Sequence, residues 1–396
     1  MLRLRLRPPL ARGRTAAAPF DRFMIDRHEM DRGTPQAPAD DKTGRMNTMT
    51  NDVNAHRTSV SRRTVLRWGG AGLAGLGAAG LMPAHRVLAD DLTKLSFQLS
   101  WLKSIQYGGY FAALENGYFA DEGLEVTFVS GGPNIDPLAN VAAGQSQIGD
   151  RPIGPILVAR EKGIPIKVIG TVYQKSPFAI MSPADKPITS VEDLKGKVLS
   201  TGSSSRPLIE YLLKQAGMSA SDVQMVPHSP DPAALVAGQI DGYLGYATNQ
   251  GVMLKSRGFD IYSLNVSEMG VPETTGTIYA REDYLEEHGD EVTNFLVGAI
   301  RGWKWAIAHP DETAKLMVET YGAPGLDFDA QKAEIIASEE LIATGAAGGD
   351  KLLNIDVPFF QTVIDTYAAA GLIAGNITAD ELCAPQYIEA ALARVA

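Results

Sequence analysis

Aromatic rings and side-chain amides form the clearest cluster of chemically useful residues in this sequence. Trp101, Gln106 and Tyr110 follow one another closely after a short alternating apolar segment. Aromatic rings stack on planar molecules, and an amide beside them can hydrogen-bond the rim of such a molecule. Packing in a helix core is the alternative for Tyr110. We predict that this segment contacts a small planar polar ligand.

Short polar segments further along the chain could complete such a site. Ser203 and Ser204 lie in a run of small residues, 201–205, whose backbone N–H groups and hydroxyls could hold a carboxylate, a phosphate or a polar rim. An ordinary helix cap would need only one of these serines. The other candidate ligand contacts follow predicted strands, and they are Asp150, Tyr173, Tyr246 and Asn249. A surface ion pair of Asp150 with Arg151, or core packing of Tyr246, is the competing interpretation.

Residues suited to catalysis or metal binding are sparse. Beyond position 90 the histidines are His228, His288 and His309, which lack the spacing of a metal site. Cys383 is the single cysteine of the chain, so the sequence excludes an intrachain disulfide and a multi-cysteine metal site. We therefore predict a binding protein without a catalytic residue, a metal or a cofactor.

Charge is distributed unevenly along the chain. The formal net charge is −10, but residues 1–89 carry 15 Lys and Arg against 7 Asp and Glu, so the remainder has a net charge of −18. Such an acidic body is repelled by nucleic acids and by anionic lipids. We expect a small-molecule ligand and no nucleic-acid partner.

The first ninety residues have the layout of an export signal. Arg62 and Arg63 precede a charge-free segment, 68–82, and small residues end at Ala89. The paired arginines resemble a twin-arginine signal, which implies the twin-arginine export machinery as a partner. The apolar segment is about 15 residues, short of the ~20 that a transmembrane helix needs.

These features divide the N-terminal part of the chain. Residues 1–60 are predicted to be a disordered or mis-assigned extension, and residues 61–89 a twin-arginine signal peptide. We predict cleavage after Ala89 and a periplasmic location for the remainder.

From residue 92 onward, predicted strands and helices alternate, with short Gly- and Pro-containing connections. This alternation predicts α/β architecture with mostly parallel sheets covered by helices. We expect one lobe from residues 91–182 plus 276–396, which includes a mainly helical C-terminal region, and a second lobe from 183–275. The chain would cross near 182–183 and 274–275, forming a two-segment hinge, and the ligand would lie beyond the carboxyl ends of the strands.

The order of several short motifs resembles a known family, the periplasmic binding proteins for thiamine-pyrimidine precursors and aliphatic sulfonates. The matching segments are 109–113, 115–119, 122–126, 143–145 with 148–149, 163–166, 194–197, 238–242 and 246–249. The resemblance covers about residues 92–310. It implies the type II periplasmic-binding-protein fold and a role beside an ABC permease and its ATPase. A thiamine-pyrimidine precursor or a related heterocycle is then the expected solute.

The same family contains a thiamine pyrimidine synthase, which is the first alternative function. The resemblance places its cofactor-holding lysine at Arg151 and its donor histidine at Pro155, and neither residue can do that chemistry. At 249–251, where pyrimidine-binding members usually have Asn-Glu-Pro, this chain has Asn249, Gln250 and Gly251, so a charge-assisted contact is lost. A sulfonate- or nitrate-type binding protein, or a ligand sensor, is the second alternative.

Overall fold

The computed structural model describes residues 92–202, 205–348 and 350–395. The predicted extension, the signal peptide, its cleavage site and the two candidate residues Ser203 and Ser204 lie outside the described residues.

Ten strands of the described residues form two five-stranded sheets. The first sheet has the order β2-β1-β3-β10-β4 and the second β7-β6-β8-β5-β9. We call the parts built on these sheets the first and second lobes. The strands are β1 (Thr93–Gln98), β2 (Leu124–Val129), β3 (Ile148–Arg151), β4 (Ile166–Tyr173), β5 (Phe178–Pro183), β6 (Val198–Thr201), β7 (Gln224–Pro227), β8 (Gly242–Tyr246), β9 (Ile261–Asn265) and β10 (Thr275–Arg281).

Helices connect and cover the strands. Those up to β10 are α1 (Gly108–Glu115), α2 (Tyr118–Asp121), α3 (Pro137–Ala142), α4 (Ile153–Glu161), α5 (Arg206–Gln215), α6 (Ala233–Val236) and α7 (Val252–Ser256). The C-terminal helices are α8 (Glu282–Glu287), α9 (Gly289–Ala308), α10 (Pro310–Leu316), α11 (Phe328–Ile342), α12 (Val357–Ala369), α13 (Ala379–Leu382) and α14 (Pro385–Val395). The predicted helical C-terminal region is thus present.

The prediction of mostly parallel sheets is confirmed, because four of the five strands in each sheet run in the same direction. β1 pairs in parallel with β2 and β3, and β6 with β7 and β8, but β10 and β5 each run antiparallel to both of their neighbours. The chain enters β5 and β10 directly from the other lobe, without the helical crossover that a parallel connection requires. Each lobe is therefore a mixed sheet with one antiparallel strand next to its edge.

The pairing of β5 corrects the expected division of the chain. Residues 178–182 were expected in the first lobe, but they pair with β8 and β9 in the second sheet. The first crossing therefore lies at 174–177 rather than at 182–183. The return crossing precedes β10, and Thr274 there donates a hydrogen bond from Oγ1 to the Tyr173 carbonyl at 2.6 Å.

The core of the first lobe depends on close packing of two helices. A Cβ added to Gly302 of α9 would lie 2.2 Å from the Gly109 carbonyl oxygen of α1, so the two backbones touch only because both positions lack a side chain. Trp303 and Phe295 of α9 are buried beside this contact. The packing fixes α1, and with it the loop that carries Trp101, against the C-terminal helices.

No helix in the described part of the chain is long and apolar enough to cross a membrane.

Candidate functional site

A cleft opens where the carboxyl ends of strands from both sheets meet. Its central cavity has a volume of about 240 Å³. The first lobe contributes the residues after β1, β2 and β3, and the second lobe those after β6, β7 and β8. Among the residues that line the cavity are Trp101, Gln106, Arg151, Phe178, His228, Tyr246 and Gln250. This is the edge of an α/β sheet at which ligands bind, because helix N-termini and loops converge there.

Trp101 and His228 approach each other across the cleft. Trp101 follows β1 in the first lobe and His228 follows β7 in the second, and their ring centroids are 6.2 Å apart at an edge-to-face angle of 62°. Gln106, also predicted as a ligand contact, lines the same cavity. The structure thus brings Trp101 and Gln106 together and adds a ring from the opposite lobe.

Asp150 lies behind the cleft and holds the Trp101 loop in place. Its carboxylate accepts hydrogen bonds from the backbone N–H and the hydroxyl of Ser100, both at 2.9 Å. The Tyr107 hydroxyl continues this network, because it lies 3.0 Å from the Ser100 hydroxyl and accepts from the Trp101 backbone N–H at 2.9 Å. Burial raises the pKa of Asp150 to about 7, although the Ser100 hydrogen bonds oppose that rise. Asp150 positions the loop rather than lining the cavity.

Two predicted tyrosines are adjacent but have different environments. Tyr246 lines the central cavity, and its hydroxyl is hydrogen-bonded to Thr275 at the start of β10. Tyr173 is buried behind it, with the two rings 6.2 Å apart and edge to face. Phe178 contacts Tyr246 in the same edge-to-face manner, at 6.0 Å. Tyr246 is therefore a wall of the cleft, and Tyr173 supports it.

Asn249 belongs to a contact between the second lobe and the C-terminal helices. It lies in a π-helical turn, Ala247–Gly251, that follows β8. Its Nδ2 donates to Glu334 Oε2 of α11 at 2.6 Å, beside a neighbouring cavity of about 520 Å³ that Trp101 and Gln250 also line. Burial raises the pKa of Glu334 to about 8, against the lowering effect of hydrogen bonds from Asn249 and Gln331. This hydrogen bond joins the second lobe to α11, as the Tyr246–Thr275 hydrogen bond joins it to β10.

The prediction that Tyr110 contacts the ligand is not supported by its position. Tyr110 is only 1% exposed and packs against Phe97, Phe128 and Trp303. Burial raises its pKa well above the ordinary value. The helical face of Tyr110 points into the first-lobe core because α9 covers it, so the competing core interpretation fits.

Replacing Tyr110 by phenylalanine should leave ligand affinity unchanged. Its hydroxyl has no hydrogen-bond partner among the described residues, so its removal should change the free energy of unfolding by less than about 1 kcal/mol. Calorimetric titration and urea denaturation of the variant would measure both quantities. A clear loss of affinity with unchanged stability would return Tyr110 to the binding site.

Arg151 lines the central cavity and, together with Pro155, also lines a third space of about 580 Å³. The Arg151 guanidinium forms an ion pair with Asp136 at the N-terminus of α3. The pair places opposite charges together at the cleft wall, which reduces the attraction of Arg151 for an anionic ligand. Glu273 also lines this space, and the Tyr367 hydroxyl donates to its carboxylate at 2.6 Å.

Buried carboxyl groups around the cleft predict a characteristic pH dependence of stability. Burial raises the pKa of Asp150 and Glu273 to about 7 and that of Glu334 to about 8. The folded chain therefore retains protons that the unfolded chain releases near pH 4, and the free energy of unfolding falls as the pH rises through the folded pKa values. Burial lowers the pKa of His228. This shift makes the free energy of unfolding rise with pH, but only in more acidic solution, between the folded and unfolded pKa values of the imidazole.

We expect the melting temperature to decrease from about pH 6.5 to about pH 8, because in this range the titration of the buried carboxyl groups dominates the pH dependence of stability. Calorimetry across this range would measure the change. Glu273→Gln, which retains a hydrogen-bond acceptor for Tyr367, should flatten the curve. A melting temperature that rises over the same range would contradict the prediction.

Sequence reasoning missed three residues of the cleft wall. His228 comes directly after β7 and Trp101 three residues after the end of β1, so both lie beyond the carboxyl end of a strand, and that position was the available signal. Phe178 starts β5, a strand that the sequence did not reveal. Gln250 was noted only as a departure from the family pattern, yet its Oε1 accepts from the Tyr246 backbone N–H at 2.9 Å.

The chain is similar to binding proteins for ring compounds. It is 29% identical over 239 residues to the formylaminopyrimidine-binding protein of Halalkalibacterium halodurans, which covers 58% of this chain and 72% of that protein. It is 28% identical over 236 residues to the riboflavin-binding protein RibY of Chloroflexus aurantiacus, covering 58% and 66% respectively. The matched region thus spans about two thirds of these relatives.

An enzyme is also among the similar proteins. The 4-amino-5-hydroxymethyl-2-methylpyrimidine phosphate synthase of Uromyces fabae is 26% identical over 231 residues, covering 55% of this chain and 68% of that protein. The relatives therefore include both binding proteins and an enzyme, and the residues of the cleft must distinguish between them.

Comparison with solved structures establishes the fold. The periplasmic aliphatic sulphonate binding protein of Escherichia coli superposes with a TM-score of 0.58 at 16% identity, covering 74% of this chain and 92% of that one. Together with the two mixed sheets, this confirms the predicted two-lobe α/β fold of periplasmic binding proteins. The family model described as NMT1/THI5 like matches residues 104–313, and because this match spans more than half of the chain, the protein belongs to the NMT1/THI5-like family.

Proposed function

We propose that this protein is the solute-binding component of an ABC importer and holds a small planar heterocycle of the aminopyrimidine class between its lobes. One observation carries the proposal: Trp101 of the first lobe and His228 of the second line one cavity at the carboxyl ends of both sheets. Aromatic walls with polar groups at the rim suit a flat polar ring. The formylaminopyrimidine-binding relative supports the choice of ring.

The size and charge of the cleft support a small and nearly neutral solute. The central cavity of about 240 Å³ is smaller than the ~300–1,000 Å³ of pockets for drug-sized ligands, so a single ring fits it best. A larger molecule would need one of the flanking cavities as well. The pairing of Arg151 with Asp136 disfavours a sulfonate, because a second anion would compete for the guanidinium.

The cleft does not support the alternative of a pyrimidine synthase. The resemblance assigns the cofactor-holding lysine to Arg151, whose guanidinium cannot form a Schiff base and is engaged by Asp136. It assigns the donor histidine to Pro155, which has no imidazole. Retention of the solute without chemical change is therefore the proposed activity.

Capture would work by closure of the two lobes about their two connections. The first connection, 174–177, is held to the first lobe by the backbone N–H of Gln174, which donates to the Leu341 carbonyl at 2.9 Å. The segment before β10 is held by Thr274, whose Oγ1 lies 3.0 Å from Thr171 Oγ1. Rotation of the second lobe would then move His228 and Tyr246 relative to Trp101. A solute shifts this equilibrium only if it binds the closed form more tightly than the open form.

Export by the twin-arginine route, processing after Ala89 and delivery to a permease and its ATPase complete the proposal. The expected result is that the chain recovered from the periplasm of its host begins at Asp90, as measured by N-terminal sequencing. Replacing Arg62 and Arg63 by lysine should retain the unprocessed chain inside the cell. Efficient export of that variant would contradict the proposed route.

Thermal denaturation of the full chain with a panel of compounds tests the ligand class. The panel comprises 4-amino-5-hydroxymethyl-2-methylpyrimidine, riboflavin, taurine and pyridoxal phosphate. A ligand at 100 times its Kd adds about 2.7 kcal/mol to the free energy of unfolding, enough to raise the melting temperature by several degrees. We expect the aminopyrimidine to give the largest shift. Stabilisation by taurine alone would indicate the sulfonate-type alternative.

Transport and sensing share this ligand site, so binding does not separate them. The two roles are distinguished by measuring uptake of the radiolabelled aminopyrimidine in cells that carry the chain and in cells that lack it. Loss of uptake on deletion supports the importer, whereas unchanged uptake with an altered transcriptional or motile response indicates a sensor.

A further inference from the structure

The space of about 580 Å³ has the dimensions of a separate ligand pocket, and we call it the third cavity. Its volume falls within the ~300–1,000 Å³ of pockets that take small molecules. Most of its wall is apolar and comes from both lobes and from the C-terminal helices. The apolar residues include Leu138, Pro155, Val158, Ile164, Phe178, Leu208 and Leu372. A ligand of this cavity therefore needs an apolar body.

One buried carboxyl group interrupts this apolar wall. Glu273, in the crossing segment before β10, is only 6% exposed and lines the third cavity. The Tyr367 hydroxyl donates to its Oε2 at 2.6 Å. That hydroxyl packs against Gly154, another residue of the wall, since a Cβ added to Gly154 would lie 2.6 Å from it. These contacts place the carboxyl group at the wall of the cavity.

The second carboxylate oxygen of Glu273 is available to a ligand. Within the described part of the chain, Oε1 accepts no hydrogen bond, and the Tyr367 hydroxyl is the one side chain that stabilises the charged form of Glu273. Oε1 does not belong to the unpaired polar atoms that are fully enclosed by protein, so it keeps accessible surface. The third cavity is the space that this residue lines.

A protonated amine is the chemical complement of this oxygen. Burial raises the pKa of Glu273 to about 7, because the charged carboxylate loses its hydration and the Tyr367 hydrogen bond offsets only part of that loss. An ammonium group supplies a hydrogen-bond donor and the opposite charge together, and such a charge-assisted hydrogen bond is roughly twice as strong as a neutral one. An anionic head group would instead be repelled.

The other charged groups around the third cavity do not take this role from Glu273. Arg151 forms an ion pair with Asp136, and Lys162 is exposed to solvent. The phenol of Tyr367 remains neutral, because burial and the neighbouring Glu273 raise its pKa well above the ordinary value. Glu273 is therefore the buried group that selects the charge of a ligand in this cavity.

We propose that the third cavity binds an apolar primary amine, whose chain packs on the apolar wall and whose ammonium group donates to Glu273 Oε1. This site goes beyond the proposed function and does not depend on which solute occupies the central cavity. Tyr367 is a positioning residue, because its hydroxyl holds Oε2 and leaves Oε1 for the ligand.

Calorimetric titration of the full chain at pH 8 with three six-carbon probes tests the head group. The probes are hexylamine, hexanol and hexanoate, which share an apolar chain and differ in charge. We expect hexylamine to bind at least about ten times more tightly than hexanol, and hexanoate to bind more weakly than hexanol. Equal affinities for hexylamine and hexanol, tighter binding of hexanoate, or no binding of hexylamine would each overturn the proposal.

Two variants separate the contact with the amine from the structural role of the carboxylate. Glu273→Gln keeps an acceptor for Tyr367 but loses the charge, so hexylamine should bind about tenfold more weakly and hexanol within about twofold of wild type. Tyr367→Phe keeps the carboxylate and loses only the internal hydrogen bond, so hexylamine affinity at pH 8 should fall less than about threefold. Equal losses of hexylamine affinity in the two variants would mean that packing is responsible, and would overturn the role of Glu273.

Proton release gives a second measurement of the same contact. At pH 6 the carboxyl group of Glu273 is mostly protonated, since its pKa is about 7, and it must lose that proton to pair with an ammonium group. Titrations at pH 6 in buffers of different protonation enthalpy should show release of close to one proton per bound hexylamine in wild type and none in Glu273→Gln. Equal proton release in the two proteins would show that the amine binds elsewhere.

Discussion

Replacing Trp101 by alanine is expected to weaken binding of the aminopyrimidine about 30-fold. The indole forms the first-lobe wall of the central cavity, and losing its stacking and the apolar area that it covers costs on the order of 2 kcal/mol. The fold should be unaffected, because the Trp101 backbone N–H keeps its hydrogen bond to Tyr107. Calorimetric titration gives the affinity, and circular dichroism checks the fold.

Trp101→Phe is the matched control, since it retains an aromatic ring in the same loop. We expect it to lose less than a third of the binding free energy that the alanine variant loses. If the alanine variant bound as tightly as wild type, Trp101 would not contact the solute and the site would have to lie elsewhere in the cleft.

Replacing Asp150 by alanine should reduce stability and affinity together. The carboxylate is the acceptor for both the backbone N–H and the hydroxyl of Ser100. Its removal leaves the backbone N–H without this acceptor, whereas the hydroxyl still has the Tyr107 hydroxyl 3.0 Å away. Unsatisfied buried groups of this kind cost about 1–3 kcal/mol each. The Trp101 loop would then be less well ordered, so we also expect affinity to fall about tenfold. Urea denaturation and calorimetric titration measure the two effects.

Asp150→Asn distinguishes the ways in which Asp150 could act. Its amide oxygen can accept one of the two hydrogen bonds, so this variant should lie between alanine and wild type in both measurements. A loss of affinity without any loss of stability in Asp150→Ala would instead mean that Asp150 touches the solute directly.

The elements that the sequence predicted well are those with a strong local pattern. β2 and β8 are examples, because the alternation in β2 and the short apolar run before a polar turn in β8 are visible within a few residues. The turn glycines that end these segments are also local features. Architecture of this kind follows from periodicity alone.

The elements that the sequence did not reveal depend on distant parts of the chain. β5 lacks alternation and ends in Pro183, yet its central residues are buried because β8 and β9 flank it. β9 is short and half exposed. Both strands are stabilised by pairing with strands that are distant in the sequence, so a short sequence segment taken alone does not predict them. The error in the lobe boundary follows from missing β5.

The candidate site was predicted in part for the same reason. Trp101 follows β1 and Tyr246 ends β8, and both line the cavity, as expected of residues at the carboxyl ends of strands. Tyr110 lies on a helix whose inner face is decided by Phe128 and α9, so its type and position alone could not separate core from cleft. The hydrogen bond of Asn249 to Glu334 joins residues 85 positions apart, and only the fold brings them together.

Mass balance after binding tests the central claim most directly. The full chain would be dialysed to equilibrium against 4-amino-5-hydroxymethyl-2-methylpyrimidine, and the retained material would be identified and quantified by mass spectrometry. We expect one molecule per chain, chemically unchanged. A product of altered mass, or no retention above the dialysis buffer, would contradict the claim that the cleft holds such a solute without transforming it.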